Sequence, residues 1–250
     1  MSVRFATALQ AADQQLAFRE TVHAIALRHG VRASFVPKLF ADKAGSGCHI
    51  HFSFWLGDRN LVTDTRGRWG LSEAARSFMA GVLEHLPALM ALTTPSTNSY
   101  RRIRPHFWSG AFRCWGLDNR EAALRVPTSP DGAGPSNIEL KTADASANPH
   151  LALGALIAAG LDGVRRKLPL ADPVDVDPGN LTEAERQRRG IDALPASLGE
   201  ALERFSHDAV LTGALGHALA QAFLAVRWAE WEAMKGMELE HEVRILLQRY

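Results

Sequence analysis

His49, His51 and Ser53 alternate along the segment Gly45-Ser46-Gly47-Cys48-His49-Ile50-His51-Phe52-Ser53. On an extended strand, side chains two apart share a face, so two imidazoles and a hydroxyl project together. Such a triplet suits a metal ion or a phosphate, and its alternative is a pair of satisfied core or interface histidines. Gly45 and Gly47 leave room for backbone N–H groups to approach a ligand, as phosphate-cradling loops require. So short a glycine loop is a weak signal alone.

Further along, Asn98-Ser99-Tyr100-Arg101-Arg102-Ile103-Arg104-Pro105 gathers three guanidinium groups, followed by Arg113, Arg120 and Arg125. Guanidinium forks grip carboxylates and phosphates through paired hydrogen bonds. Arg101 and Arg104 read as a solvated basic loop. Arg120 and Arg125 flank the apolar run Ala122 to Leu124, where an unpaired charge is expensive, so they are expected to meet acidic groups or an anionic ligand. Glu139 lies between Ile138 and Leu140 on a strand-like stretch, where either a metal ion or a neighbouring arginine would compensate it.

The elements that must position these groups follow from periodicity. Leu9, Ala12, Leu16, Val22 and Ile25 recur at helical spacing before Gly30, predicting an amphipathic helix. Ala33 to Pro37 reads as a short strand and Cys48 to Trp55 as a longer one. Ser72 can cap a helix bearing Ala75, Phe78, Met79, Val82 and Leu86, ended or kinked at Pro87. Ala111 to Leu117, Ala122 to Val126 and Asn137 to Lys141 are candidate strands of an antiparallel sheet, separated by Asp118-Asn119 and a Pro/Gly-rich loop. Asn148-Pro149 starts a helix that is apolar on most faces and should be buried. Residues 168 to 195 read as a surface excursion before two or three final helices.

With 46% hydrophobic and 22% charged residues in 250, the chain holds enough apolar material for one large domain or two small ones. Lys and Arg number 28 against 27 Asp and Glu, so there is no overall field to attract nucleic acid. The longest apolar run, Leu151 to Leu161, is too short for a membrane span. Cys48 and Cys114 suit reduced thiols of a cytoplasmic protein better than a disulfide framework.

Taken together and in order, the motifs resemble those of the glutamine synthetase family, specifically the C-terminal part of its catalytic domain. They are Phe35-Val36-Pro37-Lys38, Gly45 to Ser53, Asn98 to Arg102, Asp118-Asn119-Arg120, Ala123 to Pro127, and Asn137 to Lys141 running into Ala147 to Ala152. The resemblance covers nearly the whole chain and implies an α+β fold, a curved antiparallel sheet backed by helices. It implies a reaction in which ATP phosphorylates the γ-carboxylate of glutamate and ammonia or an organic amine displaces the phosphate. By motif position, His49 and Glu139 would help to hold Mg2+ or Mn2+. His51, Ser53 and Arg125 would meet ATP. Gly45, Arg102, Arg120 and Lys141 would meet the substrate, with Arg102 and Arg120 also neutralising the transferring phosphoryl group.

The chain also departs from the family pattern. The N-terminal β-grasp domain and the first part of the catalytic domain have no counterpart in residues 1–250, and Ser2 stands where a metal-binding Glu is usual. Lys141 and Asn137 replace arginines. Trp108 replaces an acidic residue that helps to deprotonate ammonium, which favours an organic amine of the kind γ-glutamyl-amine ligases use; the alternative is that Trp108 only anchors its loop. An open sheet edge and uncovered apolar surface would favour a homo-oligomer or a poorly soluble chain. Two other functions compete: a catalytically inactive relative that binds or regulates, and a metal hydrolase using His49 and His51 with His106 or His150.

Overall fold

The computed structural model describes residues 3–128 and 134–250; Ser2 and part of the Pro/Gly-rich loop lie outside the described residues. Helix α1 (Ala8–Arg28) forms where its periodicity predicts, but only Ala12 on it is buried, and Leu9, Ile25 and Leu27 are exposed. It is followed not by a strand but by an irregular segment carrying Phe35 to Lys38. Helix α2 (Glu73–Thr93) begins where the Ser72 hydroxyl accepts the Ala75 N–H. It runs through Pro87 instead of stopping there. The missing donor costs one helical hydrogen bond, whereas Leu86, Leu89, Met90 and Leu92 on the continuing turns are almost wholly buried.

Helix α4 (Pro149–Arg166) starts at Asn148, whose side chain accepts the His150 and Leu151 N–H groups. Glycines let α4 approach α2 closely: a Cβ on Gly163 would lie 2.1 Å from the Ser77 carbonyl oxygen, and one on Gly160 would strike the Phe78 ring. The two helices pack with a sheet in which Trp115, Leu124, Ile138 and Leu140 are fully buried.

That sheet contains β1 (Ile50–Phe52), β4 (Phe112–Leu117), β5 (Ala122–Val126), β6 (Ile138–Leu140) and β7 (Asp192–Ala193), in the order β1-β6-β5-β4-β7. β2 (Trp55–Leu56) and β3 (Arg59–Asn60) form a separate hairpin. The curved antiparallel sheet expected from the sequence is corrected here. The sheet is mixed and open, because β4 and β5 run parallel, with Phe112 opposite Ala122 and Leu117 opposite Val126. Asp118-Asn119 does not make a hairpin turn. Asp118 is left-handed (φ 51°), and the Asn119 amide donates to the carbonyls of Val174 and Val176. Pinned there, the link doubles back and starts β5 beside the beginning of β4. Strands of two to six residues are also too short for twist to accumulate into a curl.

Short α3 (Ser99–Arg102) follows α2, and α5 (Glu183–Arg188) lies in the excursion after α4, which also contributes strand β7. The chain closes with four helices rather than two or three: α6 (Leu198–Ser206), α7 (Ala209–Leu215), α8 (His217–Met234) and α9 (Leu239–Leu246). A second small core joins Val36 to Met234 and Leu246, so the chain's end packs on the segment before the glycine loop. Among the described residues no single helix is long and apolar enough to cross a membrane.

Candidate active site

Strand register assembles the centre of the site. His51 lies opposite Glu139 and Glu139 opposite Arg125, so neighbouring strands β1, β6 and β5 set an imidazole, a carboxylate and a guanidinium in one row. His49, two residues before His51, shares its face and places Nδ1 2.8 Å from Glu139 Oε1; His51 Nε2 is 3.5 Å from the same oxygen. Asn137 Oδ1 meets His51 Nδ1 at 2.9 Å. Of the alternating triplet read from the sequence, the two histidines therefore converge on Glu139.

Arg125 Nε lies 2.6 Å from Glu139 Oε2, yet neither atom makes a directed hydrogen bond. The contact is one of charge, and Oε2 is a buried acceptor without an aligned donor. Burial alone would raise the Glu139 pKa, but the bonds from His49 and His51 and the charge of Lys141 outweigh it and hold the carboxyl well below the usual range. Burial lowers His49, favouring the neutral imidazole, while the bond to Glu139 raises His51. A neutral imidazole beside an ionised carboxylate with a spare oxygen is a donor set that fits a hard or borderline divalent cation. His49 and Glu139 supply two of the roughly six ligands Mg2+ takes.

Lys141 follows Glu139 at strand spacing and is almost wholly buried. Desolvation lowers its pKa, and no partner within ion-pair distance of its ammonium occurs among the described residues. With Arg125 it makes the neighbourhood of Glu139 strongly cationic, which suits phosphate or carboxylate ligands.

Arg102 and the glycine loop have a relation the sequence did not reveal. Arg102 is buried, donates from Nη2 to the Ala143 carbonyl at 3.0 Å, and lies 4.0 Å from Asp144 Oδ2. Desolvation lowers the Arg102 pKa and raises that of Asp144, which is itself wholly enclosed. A Cβ on Gly45 would lie 2.6 Å from Arg102 Cγ, and one on Gly47 would lie 2.9 Å from His49 Nε2 and 3.1 Å from Arg102 Nη1. These glycines thus admit an arginine side chain. Two loop donors are already spent on protein, Ser46 N–H on the Pro37 carbonyl and Cys48 N–H on that of Ala143.

The remaining expected residues sit farther out. Ser53 Oγ accepts the Trp55 indole N–H at 2.9 Å. Arg120 is exposed, its guanidinium 5.6 Å from the centre of the Trp108 ring. Arg101 is no solvated charge: Nε lies 2.5 Å from Glu242 Oε2, and Nη2 donates to the Met237 carbonyl. The histidines a hydrolase would recruit are engaged elsewhere, His106 with Asp177 and His150 with Asp13.

Three carboxylates escaped sequence reasoning. Asp144, three residues beyond Lys141, backs Arg102. Glu121 accepts the Trp108 N–H. Glu242, on α9, is 1% exposed and bonds Thr97, Asn98 and Arg101 together. Asn98 in turn exchanges two hydrogen bonds with the Lys38 backbone. Nothing local marks Glu242, since its partners lie more than 140 residues away.

One group of three potential metal ligands among the described residues, Glu84, His85 and Asp162, lies on α2 and α4, outside the Glu139 cluster. Both His85 nitrogens already face carboxylates, Asp208 at 2.6 Å and Asp162 at 3.1 Å, which describes an imidazolium ion-pair network.

The chain is similar to known proteins along nearly its whole length. The chain is 44% identical over 230 residues to the gamma-glutamylpolyamine synthetase GlnA3 of Streptomyces coelicolor, covering 91% of this chain and 49% of that protein. It is 41% identical over 229 residues to the glutamine synthetase of Thermococcus kodakarensis, covering 92% and 50%. Its fold superposes on the structure of a GmaS/ADP complex with a TM-score of 0.83 at 34% identity, covering 98% of this chain and 56% of the other. A crystal structure of a glutamine synthase homolog gives 0.81 at 37%, covering 96% and 54%. The chain spans about half the length of the relatives it matches. The glutamine synthetase catalytic-domain family matches residues 1–246, and the chain belongs to that family.

Proposed function

We propose that the protein carries part of the active site of an ATP-dependent ligase that joins the γ-carboxylate of glutamate to an amine, through a γ-glutamyl phosphate. The observation that carries this reading is the cross-strand row of His51, Glu139 and Arg125, with His49 and Lys141 added at strand spacing. One ionised carboxylate among cations suits a divalent ion together with the phosphates that ion accompanies. Mg2+ or Mn2+, held in part by His49 Nε2 and Glu139, would supply charge neutralisation. Gly47 leaves His49 Nε2 unobstructed by any Cβ, while Glu139 fixes the ring through Nδ1.

In this reading Arg125, His51 and Ser53 are assigned by motif position to ATP, and Lys141, Arg102, Arg120 and the Gly45 loop to glutamate and the transferring phosphoryl group. Arg102 acts in this reading by shaping the loop as well as by charge, since it fills the space under Gly45 and Gly47. Lys141 donates as a point charge and cannot make a two-pronged grip. Trp108 marks the amine end, where an indole favours an organic amine over ammonia. The similarity to a polyamine-using relative supports that preference. Exposed apolar side chains on α1 and the open β1 edge support association into a homo-oligomer. Two free cysteines, one with its thiol pushed up to about 12 by burial, support a reducing, cytoplasmic setting.

The test is titration of the chain with Mn2+ and a non-hydrolysable ATP analogue, followed by ATP-dependent amide formation in the full-length protein. Glu139→Gln should weaken Mn2+ binding at least about tenfold, as loss of an anionic ligand implies. Unchanged Mn2+ affinity in that variant, or amide formation without ATP, would refute the assignment.

A further inference from the structure

The loop between α3 and β4 carries two aromatic residues into solvent, Phe107 and Trp108. Trp108 has φ 52° and His106 φ 66°, left-handed conformations that L side chains adopt at a cost of about 1–3 kcal/mol each and that persist only where surroundings impose them. Three anchors do so. Ser109 Oγ accepts the Arg104 N–H and donates to the Arg104 carbonyl, closing the base of the loop. His106 Nδ1 lies 2.8 Å from Asp177 Oδ2, and its ring rests on Gly179, where a Cβ would come within 2.8 Å of Cε1. At the centre, Glu121 Oε1 accepts the Trp108 N–H at 2.9 Å.

Glu121 is 7% exposed and adjoins Arg120 in sequence, yet makes no ion pair with it; the Arg120 guanidinium instead faces the Trp108 ring. A buried carboxylate is costly, and burial raises the Glu121 pKa against the pull of the Trp108 N–H. Its cost is offset by a backbone conformation that, without an acceptor beneath it, would leave a strained amide unpaired. The result is an indole that is 61% exposed but fixed at its backbone, beside an arginine of the proposed substrate clamp.

We propose that Glu121 is the positioning residue of the amine end of the site: by holding the left-handed turn at Trp108 it sets selectivity for an organic amine with an apolar chain over ammonium. The indole offers such a chain a flat apolar surface and offers its ammonium a π face. Ammonium can use the π face but has no chain to lay on the apolar surface, so the chain contact is what separates the two acceptors. This inference rests on the ligase reading above, and it assigns selectivity to a residue that does not touch the amine.

The experiment compares Glu121→Ala and Glu121→Gln in the full-length protein, using putrescine, ethylamine and ammonium as acceptors. Loss of one hydrogen bond to a charged acceptor should cut the organic-amine-to-ammonium ratio of kcat/KM about tenfold in the Ala variant. The change should lie in KM for the amine, with KM for ATP and glutamate unaltered. Gln keeps a carbonyl acceptor and should restore the ratio. An unaltered ratio in Ala, or Gln as impaired as Ala, overturns the proposal while leaving the ligase reading intact. A wild-type protein that makes no amide with any acceptor overturns the ligase reading and the selectivity claim with it. Hydrogen exchange at the Trp108 amide follows the holding role separately: faster exchange in Ala but not in Gln supports it, and equal exchange refutes it.

Discussion

The imidazolium of His85 should make stability depend on pH in a direction fixed by its partners. His85 projects from α2 and is 8% exposed; it binds Asp208, the N-cap of α7, through Nδ1 and Asp162 of α4 through Nε2. The other charges facing the cluster are Glu84 beside it on α2 and Arg166 on α4, which pairs with both Glu84 and Asp162. The bond to Asp208 raises the His85 pKa above its ordinary 6.5 against the opposing effect of burial. A raised histidine contributes stability that is complete below 6.5 and lost as pH climbs through the folded value. Burial would raise Asp162 and Asp208, but the His85 contact outweighs it and lowers both, so their contribution is present above 3.8 and lost on acidification. Neutral imidazole has one N–H, so deprotonation breaks one of the two contacts and turns a lone pair toward a carboxylate. A hydrogen bond to a charged partner is worth about 1.5–3 kcal/mol, and Arg166 and solvent screen the Asp162 side, so the loss should be about 2 kcal/mol. Urea unfolding at about pH 5.5 and about pH 9 measures it, with His85→Gln as the reference lacking the titration. Parallel pH profiles for the two proteins would refute the reasoning.

Other perturbations test the packing around the site. Gly163→Ala should cost about 1–3 kcal/mol in a thermal melt, because its Cβ would meet the Ser77 carbonyl and push α4 from α2. Gly154→Ala on the same helix, with nothing within 4 Å, should instead stabilise by up to about 1 kcal/mol. Glu242→Ala strips the acceptor from Thr97, Asn98 and Arg101 and should lower stability by about 3 kcal/mol. It should also speed proteolysis after Met234; an intact C-terminus under those conditions would contradict the clamp.

Much of the site was legible because its chemistry is local. His49, His51 and Ser53 were read as sharing a face from strand spacing alone, and both histidines do reach Glu139. The caps at Ser72 and Asn148 were likewise visible, since a side chain and the N–H groups it accepts lie within three residues. Of the two outcomes read at Pro87, an end or a kink, the end does not occur, because a local rule met a large burial term. Leu9, Leu16 and Ile25 misled because helical periodicity shows which residues align but not what covers them.

The sequence by itself determined the family, through motifs ordered along the chain, and the positions of α1, α2 and α4, which depend on patterns within a few residues. Only the tertiary structure decided that β5 runs parallel to β4, because Asn119 is held by carbonyls 55 and 57 residues away. Only it decided that Gly45 and Gly47 make room for Arg102, that Glu121 holds the Trp108 backbone, and that Glu242 ties α9 to Arg101. Those contacts join residues from 13 to 145 positions apart, and no propensity or spacing encodes a distance that folding alone closes.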